Sequence, residues 1–143
     1  KNIAVAYKPL SSKSFNDLML KIRSRFGSKM VSSKNMKKEM EVFKDKQHVL
    51  ILVADQNPNK PIKSFWTSFL SQQTAFISGS ELYSASHKTP ILFAKIIREK
   101  RGHYKFVLTP IFNFSDEYKI GSITNIFSKK LENAIKIIQI INY

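Results

Sequence analysis

The side chains able to exchange a proton near neutral pH begin with three histidines, His48, His87 and His103. His48 leads into an apolar run and His103 follows Gly102 in a tight turn, both ordinary places for a surface or strand-end histidine. His87 stands in "SASHK" beside Ser84 and Ser86, but no Gly-x-Ser-x-Gly elbow presents a serine nucleophile. No two histidines have metal-ligand spacing. The absence of cysteine removes disulfides, thiolate zinc sites and thiol nucleophiles together. Gly27, Gly79, Gly102 and Gly121 are the only glycines, and they lie too far apart for a phosphate loop. No cofactor or metal is expected.

Asp55 differs in kind. It directly follows the apolar run "VLILVA", and in α/β sheets ligands collect beyond the carboxyl ends of strands. A carboxylate delivered there would face a cleft; the structural alternative is an Asp that caps the following turn. Ten positions later Phe65, Trp66 and Phe69 crowd "FWTSF". Beside Lys60 and Lys63 they could stack bases, but a hydrophobic wall or core segment explains them better.

The elements that must position these residues alternate. Ile3 to Tyr7 reads as a strand ended by Lys8-Pro9. Phe15, Leu18, Met19, Ile22 and Phe26 fall at helical spacing, with Ser14 available as N-cap and Gly27 as a stop. Lys29 to Val31 reads as a short strand, and Met36, Met40 and Phe43 mark one face of a second, basic helix. Val49 to Ala54 predicts a mid-sheet strand buried on both faces, because six consecutive apolar residues leave no polar face. "QNPNKPIK" is a loop, and "GSELYSASHK" predicts a short helix from Ser80. "ILFAKII" and "HYKFVLTPIF" predict two strands joined at "EKRG". A closing helix carries Ile123, Phe127, Leu131, Ala134, Ile138 and Ile141, with a strand as the alternative for its Ile-rich end. The expected fold class is α/β: a single domain over 1–143, with a mixed, largely parallel sheet flanked by helices.

Composition fits a packed core, with 43% hydrophobic and 12% aromatic residues in 143. Lys and Arg number 24 against 10 Asp and Glu, a formal net charge of +14. Such a surface attracts an anionic partner over a long range. All but four of these cations are Lys, which suits diffuse attraction better than bidentate reading. No stretch has the length of a membrane span, and neither a signal peptide nor an initiator Met opens the chain. The chain therefore reads as a piece of something longer.

Several blocks, in order, resemble the second half of the bacterial lipid A biosynthesis acyltransferases, of the late lauroyl/myristoyl type, with their glycerophosphate-acyltransferase-like fold. They are "AVAYKPLSSKSFNDLMLKIRSRFGSKMV", "VLILVADQNPNKP" and "SFWTSFLSQQTAFISGSELYSASHKTPILFAKI", and "ITNIFSKKLENAIKIIQIINY" is similar to the family's last helix. The shared features include an aromatic-x-Pro after the first strand and an Arg-x-Arg-Phe-Gly at a helix end. An Asp-Gln after an apolar strand, a Trp or Phe followed by "FL" and a threonine, an F-x-x-G opening a helix and a Pro-initiated strand complete them. The resemblance spans almost the whole chain.

It implies transfer of a fatty acyl chain from acyl carrier protein, or another acyl thioester donor, to a hydroxyl of a phosphorylated glucosamine lipid. The setting it implies is the anionic cytoplasmic face of the bacterial inner membrane, with no nucleic acid. The base it implies is the His of a His-x-x-x-x-Asp/Glu motif. Here the fifth residue after His48, His87 and His103 is Val53, Leu92 and Leu108, so the motif is absent from this sequence. The expectation is a C-terminal portion of an acyltransferase domain, without the N-terminal anchor and the catalytic segment, and inactive alone. Asp55 and Arg25 are its supporting site residues, expected within ionic reach of each other. Arg23, Phe65, Trp66, Phe69 and Gly79 are candidates for the substrate and acyl path. The alternative is a basic α/β nucleic-acid-binding module, resting on charge and aromatics.

Overall fold

In the computed structural model, which describes residues 2–113 and 117–141, the apolar stretch Ile3–Tyr7 forms β1, the middle strand of a parallel sheet ordered β2-β1-β3. β2 is Lys29–Ser32 and β3 is Val49–Ile51. β1 pairs with β2 from Ala4↔Lys29 to Tyr7↔Ser32, and with β3 from Ile3↔Val49 to Val5↔Ile51. Parallel neighbours need crossovers, and α1 (Lys13–Ser24) supplies the first. α2 (Met36–Met40) with a 3₁₀ turn at Glu41–Phe43 supplies the second. Ala4, Val31, Met40 and Phe43 are the buried apolar residues of this unit, Lys1–Val53.

α1 begins at Lys13, one residue before the proposed Ser14 cap, with Ser12 in the capping position. The amide of Asn16 seals this entrance instead, accepting the Leu10 N–H at 3.0 Å. Gly27 ends the helix region in the left-handed conformation (φ +87°), with its N–H on the Ser24 carbonyl.

The run Val49–Ala54 departs from expectation. Only Val49–Ile51 is strand, and it is an edge strand with Val49 and Ile51 exposed. The physical cause is pairing: β3 has β1 on one side and no strand beyond it among the described residues. Asp55 thus lies four residues past the strand end.

The second unit, Ala54–Tyr143, is antiparallel. β4 (Phe65–Phe69) returns as β5 (Gln72–Phe76), and β6 (Ile91–Lys100) returns as β7 (His103–Phe112). Each pair is joined by two residues, a connection that only an antiparallel return can use. The mixed α/β class stands, but the largely parallel sheet is replaced, among the described residues, by three small sheets, of which only the first is parallel. α3 (Gly79–His87) lies between the hairpins in the chain, and α4 (Ser122–Ile141) closes it as a helix to Ile141, not a strand.

The core of this unit is aromatic. Phe127 of α4 meets Phe76 edge-on at 6.3 Å between ring centroids and Phe93 at 5.7 Å, and Phe69 meets Phe76 at 5.2 Å. Ile123 of α4 is fully buried. Among the described residues no helix is long and apolar enough to cross a membrane.

Candidate functional site

The second unit contains a groove of about 380 Å³ in which Asp55 takes part. Asp55, Gln56 and Asn57 come from the loop after the first unit, Thr74 and Ala75 from β5. Phe69, Phe76, Leu131 and Ile135 make the lining predominantly apolar. That size falls in the range of small-molecule sites, which combine apolar walls with a few polar groups. The loop stays open because Pro58 and Pro61 deny it helix and ladder. A 3₁₀ turn at Pro61–Lys63 then redirects the chain into β4.

Strand alternation sorts the three aromatic candidates. Phe65, Thr67 and Phe69 share one face of β4, and Trp66 takes the other. Thr67 Oγ1 donates to Asn125 Oδ1 of α4 at 3.2 Å, so the first face is the one that packs on α4. Phe69 lines the groove. Phe65 packs over Gly121, where a Cβ would stand 2.3 Å from its ring. Trp66 is half exposed and donates its indole N–H to the Pro61 carbonyl at 3.0 Å. The three therefore form no common stacking surface, which removes the aromatic support for a nucleic-acid reading.

Gly79 opens α3, and a Cβ there would meet only Ile77 Cγ2 at 3.8 Å, an ordinary contact. Arg23 and Arg25 belong to the first unit. Arg23 is in the last turn of α1, and its carbonyl accepts the Ser28 hydroxyl. Arg25 is the C-cap residue, exposed, with its guanidinium 4.9 Å from the centre of the Phe26 ring.

The Ser86–His87 neighbourhood lacks the wiring of a nucleophile. Ser86 Oγ lies 2.8 Å from His87 Nδ1, but it also donates to the Tyr83 carbonyl at 3.0 Å. Nδ1 faces that same carbonyl at 3.0 Å, which calls for an N–H there. A ring nitrogen carrying its proton takes none from serine. Stacking on Tyr83, with 4.1 Å between ring centres, accounts for the ring's position.

One group was not singled out by its sequence context. Glu81 in the first turn of α3 is almost completely buried, and its carboxylate accepts the backbone N–H of Gly121 at 2.6 Å and of Thr124 at 3.0 Å. It also accepts the Thr124 hydroxyl. Both amides belong to the start of α4, whose free N–H groups attract a negative charge. Tyr118 is hydrogen-bonded to the same carboxylate; burial, then the charge and hydrogen bond of Glu81, push its phenol above the ordinary 10.0. Glu81 thereby pins α3 to the helix that supplies Leu131 and Ile135 to the groove.

Compared with known proteins, residues 1–138 match the family described as bacterial lipid A biosynthesis acyltransferase. No curated protein matches the chain.

Proposed function

Because the chain belongs to the bacterial lipid A biosynthesis acyltransferase family, we propose that it contributes the acyl-chain groove of an enzyme that moves a fatty acyl group from acyl carrier protein to a hydroxyl of a phosphorylated glucosamine lipid. The family match over residues 1–138 carries this reading. The groove supports it, since an unbranched chain needs an apolar trough and Phe69, Phe76, Leu131 and Ile135 provide one.

In the reaction the acceptor hydroxyl attacks the thioester carbonyl. A carbon–oxygen bond forms, the carbon–sulfur bond breaks, and the carrier's thiolate leaves and takes up the proton that the base removed. The base is a His of a His-x-x-x-x-Asp/Glu motif from outside these 143 residues, as none occurs within them. Asp55 lines the groove, where its carboxylate orients a cationic or donor group; Arg25, a residue of the first unit, carries a guanidinium suited to holding a carboxylate or a phosphate. The +14 surface draws the acidic carrier and the anionic headgroups of the inner membrane's cytoplasmic face.

The test is transfer of labelled acyl groups from acyl carrier protein to a lipid A precursor by the enzyme containing this sequence, beside titration with an oligonucleotide. Acyl transfer with negligible oligonucleotide affinity is expected. Tight oligonucleotide binding without transfer would overturn the proposal.

A further inference from the structure

The β6–β7 ribbon has two unlike faces. One packs on α4 through the buried Phe93, whose ring meets Phe127 at 5.7 Å. The other is exposed and almost wholly apolar: Ala94 stands opposite Leu108, Ile96 opposite Phe106, and Arg98 opposite Tyr104. Ile96 is 55% and Phe106 66% exposed. Alternation along a strand normally gives a solvated face its polar residues, so a row of paired apolar side chains in water marks a contact surface. The row ends in cations. Arg98, Lys100 and Arg101 surround the turn with Glu99 as the one acid among them.

We propose that this face is where the chain docks on an anionic lipid bilayer: Ile96, Phe106 and Leu108 enter the boundary between headgroups and acyl chains, and the cations of the turn meet lipid phosphates. An apolar surface rimmed by cations is the complement of such an interface, where basic residues gain from the surface potential and an aromatic such as Tyr104 sits at headgroup level. The ribbon itself sets the depth. Both of its edges carry backbone groups with no neighbouring strand among the described residues, and such groups stay at the hydrated interface and out of hydrocarbon. The inference rests on the membrane partner proposed above and adds the surface that makes the contact, independently of the acyl-transfer chemistry.

The test uses the 143-residue chain with vesicles of phosphatidylcholine alone or mixed with phosphatidylglycerol. Binding to the anionic vesicles is expected. The double variants Ile96→Ser/Phe106→Ser and Lys100→Glu/Arg101→Glu should each weaken it by about tenfold or more. As the apolar variant carries two changes, a second readout uses Phe106→Trp in a Trp66→Phe background. Its emission should shift to the blue on anionic vesicles and be quenched by brominated acyl chains. Undiminished binding by Ile96→Ser/Phe106→Ser, or unshifted emission from bound Phe106→Trp, would overturn the surface while leaving the membrane as partner. Failure of the chain to bind any vesicle would remove both. A concentration-dependent dimer that Ile96→Ser/Phe106→Ser abolishes, with vesicle binding intact, would make the face a contact between copies and overturn the proposal.

Discussion

The carboxylate of Glu81 in the first turn of α3 accepts the backbone N–H of Gly121 at 2.6 Å, across 40 positions of sequence. The acceptor is buried and the donor opens α4, so the bond is charge-assisted and shielded from water. Glu81→Gln keeps the volume and removes the charge. It should lower stability by about 2 kcal/mol, read from urea unfolding. The phenol of Tyr118, held up first by burial and then by Glu81, should titrate closer to its ordinary value in this variant. Because its folded pKa is raised, the stability it contributes is complete below the unfolded value of 10.0 and is lost as pH rises through the folded one. Equal stability of Glu81→Gln and the parent would show the clasp to be incidental.

Gly121 has φ +88°, and Phe65 Cε2 lies 2.3 Å from where its Cβ would be. Gly121→Ala should therefore cost about 2 kcal/mol or more, from left-handed strain and overpacking together. Adding Phe65→Leu relieves the collision alone and should recover part of the loss. No recovery in the double variant would assign the whole cost to the backbone.

The β4–β5 turn places Leu70 at φ +49° and Ser71 at φ +64°, the region of a type I′ turn that favours Asn-Gly. Leu70→Asn with Ser71→Gly should raise stability by about 1 kcal/mol. The Leu70 N–H, which reaches the Glu132 carboxylate, is retained. A lower melting temperature in the double variant would mean that the Leu70 side chain contributes more packing than its partial exposure indicates.

Purified alone, the chain should transfer no acyl group from acyl carrier protein to a lipid A precursor. A missing general base costs on the order of a hundredfold or more, and no His-x-x-x-x-Asp/Glu motif occurs within these residues. Measurable turnover by the 143 residues would place the catalytic base among His48, His87 and His103.

In the enzyme carrying this sequence, Asp55→Asn should reduce acyl transfer by about tenfold or more with the fold intact, because charge is removed at nearly constant volume. A turn-capping role gives the opposite pattern, with activity retained and stability lower by about 1 kcal/mol or less. Retained activity would exclude Asp55 from the site.

Periodicity in the sequence foretells β1, α1, α3, the β6–β7 hairpin and α4. Each presents its signal locally, as a spacing of apolar residues or a Gly-bearing turn. The β4–β5 hairpin escapes because its turn is Leu-Ser, which carries none of the usual chemistry for positive φ. "VLILVA" misleads for another reason: a continuous apolar run signals burial on two faces, whereas the number of neighbours a strand receives is decided by the rest of the sheet. Glu81 is hidden by its spacing, since Ser78-x-x-Glu81 reads as a helix capping its own start. The structure sends that carboxylate to another helix. Asp55 was legible as a candidate, but of the α4 walls of its groove Leu131 was legible only as part of one face of a helix, and Ile135 was not marked at all.

The three small sheets have a consequence for the chain in solution. None closes on itself, and strands such as β3, with Val49 and Ile51 exposed, carry a row of backbone donors and acceptors with no further strand among the described residues. Such rows are templates on which copies of a chain can add to one another, the usual route to aggregation. Like charges oppose it. A net +14 keeps copies apart in dilute buffer, and salt, by shortening the reach of that repulsion, brings the exposed strands within range of each other. The lysines that favour an anionic surface thus also act as colloidal stabilisers, guarding the open strands against self-assembly.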